Sequence, residues 1–304
     1  MPLDPALETL LSQLAAAGGP GLTELTPAEG RQMLRMLAAL DGDAEPVARV
    51  EDRTIAGVPC RVYAPVAEPS PILVWYHGGG FVIGDLETAD STARKLANRA
   101  SALVVSVDYR LAPEHPAPAA VEDAHAVLSW IAAHGAELGG DPARIAVGGD
   151  SAGGNLAACM AIRARDEGIR LRHQLLVYPV VDLTMSFPSI DENGEGYLLT
   201  KDSMTWFLGH YLSGGADPKD PTLSPYHVGD LAGVAPAHVI TAEFDPLRDE
   251  GEAYAERLRD AGVPVEAKRY DGMIHAFFGL GTVTPVANEA VDAAAAALRT
   301  ALKT

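Results

Sequence analysis

The segment Gly149-Asp150-Ser151-Ala152-Gly153 follows a short apolar run, Ile145 to Val147, and precedes a helix-like run, Asn155 to Ala164. A serine held on a sharp strand-to-helix turn presents its hydroxyl above a sheet, and glycines on either side leave room for the strained backbone. The helix that starts behind it favours developing negative charge. This context makes Ser151 a candidate nucleophile for acyl transfer. An ordinary glycine-rich turn is the bland alternative, and the strand before and helix after weigh against it.

A second segment, His77-Gly78-Gly79-Gly80-Phe81, directly follows the apolar run Ile72 to Tyr76. Glycines there let backbone N–H groups approach a substrate oxygen. Together with the amide after the nucleophile, that of Ala152, they would form an oxyanion hole. A phosphate-binding loop is disfavoured, since no lysine follows and no G-x-G-x-x-G spacing is present. His77 reads as a brace for this loop.

A general base and an orienting acid must come from further along the chain. In a sheet with this turn the order is serine, then acid, then histidine. Five histidines follow Ser151: His173, His210, His227, His238 and His275. His173 abuts a strand-like run, His238 lies inside one, and His210 and His227 fall in an irregular segment. His275 comes just after the last strand-like run, which places it at the sheet edge that presents Ser151. The acid should follow the preceding strand, His238 to Thr241. Asp245, before Pro246, is the best candidate; Asp249 and Glu243 are weaker, and Asp249 also suits a helix N-cap.

The elements that must position these groups are legible from about Val47 onward. Val47 to Ile55 and Pro59 to Tyr63 read as an edge hairpin. Ile72–Tyr76, Leu103–Val107, Ile145–Val147, Leu175–Tyr178, His238–Thr241 and Val265–Tyr270 read as buried strands. Helical spacing appears over Ala119–His134, Glu250–Ala261 and Val286–Leu302. This alternation implies one α/β domain over 1–304, with a mostly parallel sheet flanked by helices. Two stretches stand outside it. Leu3 to Leu40 reads as two amphipathic helices separated by a Gly-Gly-Pro-Gly break, and Leu183 to Val234 holds a helix candidate at Asp202 to Leu212. Segments 1–45 and 183–234 are therefore expected to form a small helical cap, with Leu199, Met204 and Phe207 lining a substrate pocket.

Composition narrows the partners. A formal charge of −18 opposes binding to nucleic acid or an anionic membrane. No stretch approaches the ~20 apolar residues of a membrane span. The N-terminus lacks a signal-peptide pattern, so a cytoplasmic location is expected. Two cysteines, Cys60 and Cys159, read as small buried side chains and not a disulfide framework. No H-E-x-x-H motif or Cys/His cluster suggests a metal, and no cofactor is expected.

The residues HGGGF at 77–81, DYRLAPEH at 108–115, GDSAGG at 149–154, YP at 178–179 and DPLRDEG at 245–251 resemble the bacterial hormone-sensitive lipase family of esterases. The resemblance runs from about Pro71 to Phe278. It implies an α/β-hydrolase fold with a helical cap, a nucleophile at Ser151, an acid at Asp245 and a base at His275. It places the oxyanion donors on Ala152 and on the glycines at 78–80, with Gly78 and Gly79 favoured. Two positions depart from the family: Ala117 stands where Phe is common, and Ala276 follows the histidine where Gly is common. The expected activity is hydrolysis of short- to medium-chain carboxylic esters through an acyl-enzyme. Amidase or deacetylase chemistry would use the same triad. A non-catalytic receptor of this fold is disfavoured by the intact histidine. A homodimer paired through the last strand is also expected.

Overall fold

The computed structural model describes residues 1–66 and 68–303. Helices α1 (Pro5–Ala17) and α2 (Pro27–Ala38) come first. A hairpin follows, β1 (Arg49–Ile55) and β2 (Val58–Ala64). Its two-residue turn puts Ala56 at φ 51° and Gly57 at φ 85°, the left-handed pair that matches strand twist. The remaining order is β3 (Ser70–Tyr76), α3 (Leu86–Ala100), β4 (Leu103–Val107), α4 (Ala119–His134), β5 (Gly140–Asp150), α5 (Ala152–Glu167) and β6 (Leu171–Val177). Then come α6 (Ser189–Glu192), α7 (Lys201–Tyr211), β7 (Ala237–Phe244), α8 (Arg248–Asp260), β8 (Val265–Ile274) and α9 (Pro285–Leu302).

The eight strands form one sheet in the order β1-β2-β4-β3-β5-β6-β7-β8. The pairs β1·β2 and β2·β4 are antiparallel, and all others are parallel. From β3 the chain winds one way to β4, then returns past β3 to β5. The connections therefore diverge between β3 and β5, and a crevice opens at the C-terminal ends of those strands. The glycine loop after β3 and the serine turn after β5 meet there.

Central strands are apolar because both faces are covered. Ile72 and Val74 pack on the side of α4, α5 and α8, whereas Leu73 and Trp75 pack on the side of α3 and α9. Each of these side chains is fully buried, a burial that stabilises the fold by about 1.5–3 kcal/mol for a Val or Leu.

Helix α3 is the element that the periodicity of large apolar residues does not reveal. Its buried face is mainly alanine, Ala89, Ala93, Ala97 and Ala100, with Leu96 as the one large apolar residue and Lys95 buried beside it. Its start is fixed by Asp85, whose carboxylate accepts the Thr88 N–H at 2.9 Å. Strand β5 begins earlier than expected, because its polar start, Gly140-Asp141, pairs with Ser70-Pro71 before a bulge. Among the described residues no helix is long and apolar enough to cross a membrane. Both cysteines are free and buried, and burial pushes each thiol up to about 12.

Arg31 on α2 ties the N-terminal segment to the body. Its guanidinium donates to both oxygens of Glu114, at 2.8 and 2.6 Å, and to the Val82 and Ala112 carbonyls. Gly30 lets α2 approach closely: a Cβ there would sit 3.2 Å from Leu22, 3.3 Å from Ile83 and 3.9 Å from Trp206 of α7.

Candidate active site

Ser151 occupies the turn between β5 and α5 with φ 55° and ψ −117°, a strained conformation for a side chain with a Cβ. Its neighbours make the turn feasible. A Cβ on Gly149 would lie 2.5 Å from the Tyr76 carbonyl oxygen, and one on Gly153 only 1.9 Å from it. The turn is held by the Ser151 N–H donating to Val177 O at 2.9 Å.

His275 directly follows β8, and Asp245 directly follows β7. His275 Nδ1 lies 2.8 Å from Asp245 Oδ2, and His275 Nε2 lies 3.0 Å from Ser151 Oγ. An ionised carboxylate only accepts, so Nδ1 carries the proton and Nε2 accepts from the serine hydroxyl. Asp245 is fully buried, and its other oxygen accepts the Leu247 N–H at 2.8 Å. That bond closes the turn at Pro246 and fixes the carboxylate's orientation. Tyr178 packs its ring 4.6 Å from the imidazole.

Among the described residues, the other candidate acids and histidines make no hydrogen bond to Ser151. Asp249 lies inside α8 and does not cap it, which corrects the N-cap expectation. Its carboxylate accepts instead from the Ser189 N–H at 3.0 Å, at the start of α6, and from Arg248 Nε at 2.7 Å. Glu243 accepts the Gly272 N–H at 2.7 Å. His227 Nε2 meets Asp182 at 2.9 Å, His210 packs edge-to-face against Trp206, and His173 and His238 are buried in the sheet. His77 is buried, stacked on Tyr109, and donates from Nδ1 to the Gly78 carbonyl at 2.7 Å. Burial holds its imidazole below the usual range, so it braces the loop as a neutral ring.

The glycine loop requires one correction. The Gly78 N–H donates to Asp150 Oδ1 at 3.0 Å, which removes it as the favoured oxyanion donor. Among the described residues, the amides of Gly79 and Gly80 have no protein acceptor. These residues have φ 118° and 59°, and a Cβ on Gly80 would collide with the Phe207 ring at 2.3 Å. The Ala152 amide opens α5 and so has no partner within the helix. Gly79, Gly80 and Ala152 border the same cavity as Ser151 and His275.

That cavity measures about 510 Å³. Leu199, Met204 and Phe207, the residues named from the sequence, line it. Leu10, Leu34 and Leu37 of the N-terminal helices also line it, as do Trp75 and Asp150. The sequence does not single out these last residues, since only the fold brings them to the crevice. Ala117 does not line the cavity; its amide donates to Tyr211 O at 2.8 Å beneath α7. Ala276 does line it, in a left-handed conformation at φ 67° that glycine would adopt without strain.

Asp150 is the most perturbed acid here. Burial pushes its carboxyl up to about 6, against the opposing pull of His275 and the Gly78 amide.

Comparison with known proteins places this geometry. Residues 73–279 match a family described as alpha/beta hydrolase fold. The chain is 44% identical to carboxylesterase NlhH of Mycobacterium tuberculosis, over 99% of this chain and 96% of that protein. It is 38% identical to an arylesterase of Saccharolobus solfataricus, over 92% and 93%. A solved hyperthermophilic esterase of Pyrobaculum calidifontis superposes with a TM-score of 0.94 at 45% identity, covering 99% of each chain.

Proposed function

Since the chain belongs to the α/β-hydrolase family, among its bacterial hormone-sensitive-lipase-type carboxylic ester hydrolases, we propose that it hydrolyses short- to medium-chain esters through an acyl-enzyme on Ser151. The observation that carries this reading is the chain of contacts from Asp245 through His275 to Ser151, at 2.8 and 3.0 Å.

The chemistry runs in two halves. His275 Nε2 takes the Ser151 proton as Oγ attacks the ester carbonyl, and charge moves onto the carbonyl oxygen. The amides of Gly79, Gly80 and Ala152 are suited to that charge, because donors fixed in advance stabilise it at no reorganisation cost. Asp245 keeps the imidazole in its Nδ1–H form and stabilises the imidazolium. The alcohol leaves with the proton from Nε2. Water then attacks the acyl-enzyme with the same groups in reverse roles, releasing acid and free serine.

The cavity supports the substrate size. Its volume of about 510 Å³ lies within the range of small-molecule sites, and its wall is largely aliphatic. Each methylene buried is worth ~0.8 kcal/mol, or roughly fourfold in kcat/KM, until the space is filled. A series of p-nitrophenyl esters from acetate to palmitate, with an emulsified triglyceride and matched anilides, tests the reading. The expected optimum lies at about four to eight carbons. An optimum at palmitate, activation at an oil–water interface, or turnover of the anilides alone would contradict it.

A further inference from the structure

Two halves of the site come from distant parts of the chain, the glycine loop after β3 and the serine turn after β5. Among the described residues, one side-chain bond joins them directly: Gly78 N–H to Asp150 Oδ1 at 3.0 Å. We propose that Asp150 is a positioning residue for the oxyanion hole, holding the Gly78 amide so that those of Gly79 and Gly80 are left for the substrate oxygen. The proposal rests on Ser151 being the nucleophile.

Three features of the structure carry it. First, the contact is tight and built for this pair. A Cβ on Gly78 would lie 2.3 Å from Asp150 Oδ2 and 3.2 Å from the Asp150 carbonyl oxygen, so only glycine lets the carboxylate lie against this backbone. Second, the loop is otherwise held mainly through groups that do not fix the Gly78 amide. His77 Nδ1 and its neighbour Tyr109 engage the carbonyls of Gly78 and His77, and the Val82 and Ile83 amides donate to Gly79 O. Asp150 supplies the acceptor that sets which amides stay free. Third, the carboxyl is retained where burial is costly, beside Tyr109 and Tyr178 and in the field of His275. A buried acceptor fixed on the serine turn suits a loop that must not shift as the oxyanion forms.

The contact also explains the register of the glycine loop. Three consecutive glycines offer three amides, and an oxyanion needs only those that remain after the loop has been anchored. The first is spent on the anchor and the next two are left, which is why counting glycines from the sequence does not identify the donors.

The test compares Asp150→Ala, which deletes the acceptor, with Asp150→Asn, which keeps an oxygen for the Gly78 N–H. With a medium-chain p-nitrophenyl ester, Asp150→Ala is expected to lower kcat by about 10- to 100-fold, with KM changed less than about threefold. That loss corresponds to a partly misaligned oxyanion donor. Asp150→Asn is expected to return kcat to within about fivefold of the parent enzyme, because the amide oxygen replaces the carboxylate oxygen. If Asp150→Ala does not fold, Asp150→Leu, similar in shape and without an acceptor, takes its place. An unchanged kcat in the variant without an acceptor, or an equal loss in Asp150→Asn, overturns the proposal. All variants are also treated with a serine-directed phosphonate and mapped by mass. Labelling at Ser151 alone keeps the nucleophile assignment whatever the kinetics show, and labelling elsewhere removes that assignment and this proposal with it.

Discussion

Replacing His173 by leucine should make the protein more resistant to acid. His173 lies in β6, 7% exposed, and neither ring nitrogen has a hydrogen-bond partner among the described residues. Burial pushes its imidazole down to about 4, and the neighbouring His238 adds to the effect. His238 is itself lowered by burial, with Glu266 and Lys268 of β8 acting on it in opposite directions. The sign follows from the direction. Below the unfolded pKa of 6.5 the unfolded chain takes up a proton that the folded site refuses. Stability is therefore complete above about pH 6.5 and falls with pH until the folded group titrates near 4. A displacement from 6.5 to about 4 amounts to ~3 kcal/mol, of which ~2 kcal/mol is already lost at pH 5. That is a large share of the 5–15 kcal/mol typical of a folded domain. Urea unfolding of the parent protein and His173→Leu at pH 7.5 and pH 5 measures it. The parent should lose about 2 kcal/mol more than the variant between the two conditions. Equal losses would refute the reasoning and show that the site accommodates the imidazolium.

Two further outcomes follow from the geometry. Asp245→Asn should cut kcat by up to ~10⁴-fold, as the corresponding change does in a serine protease, because the amide favours the wrong tautomer of His275. Asp249→Asn should change kcat only a few-fold, since that carboxylate serves α6 and Arg248; stopped-assay kinetics on both variants would show the ranking, and the reverse order would move the acid to Asp249. Strand β8 lies at a sheet edge, with residues 266–269 exposed. Pairing of two copies along it should give a light-scattering mass twice the 31.8 kDa of the chain, and a single species at 31.8 kDa would reject the dimer.

The sheet was readable because its central strands are buried on both faces and therefore written as short apolar runs, such as Ile72–Tyr76. Helix α3 was not, because alanine packs its inner face and leaves no stripe of large residues. Ser151, Asp245 and His275 were each identifiable from a local signature: the glycine-flanked turn, a carboxylate before proline at a strand end, and a histidine just after the last strand. The donors in the glycine loop were not, since the choice among Gly78, Gly79 and Gly80 depends on Asp150, more than 70 positions away. The same limit applies to Leu10, Leu34 and Trp75. Each has an ordinary apolar neighbourhood in sequence, and only the divergence of the chain at β3 and β5 brings them to one cavity.

The central claim is that Ser151 is the nucleophile, and covalent capture tests it most directly. After treatment with an organophosphate that traps activated serines, intact-mass analysis should show one adduct per chain, and peptide mapping should place it on Ser151. Ser151→Ala should fold normally, take no adduct, and lose at least ~10⁴-fold in ester turnover, because the members of a triad act as a unit. An adduct on another residue, or a Ser151→Ala variant that keeps a tenth of the parent activity, would contradict it.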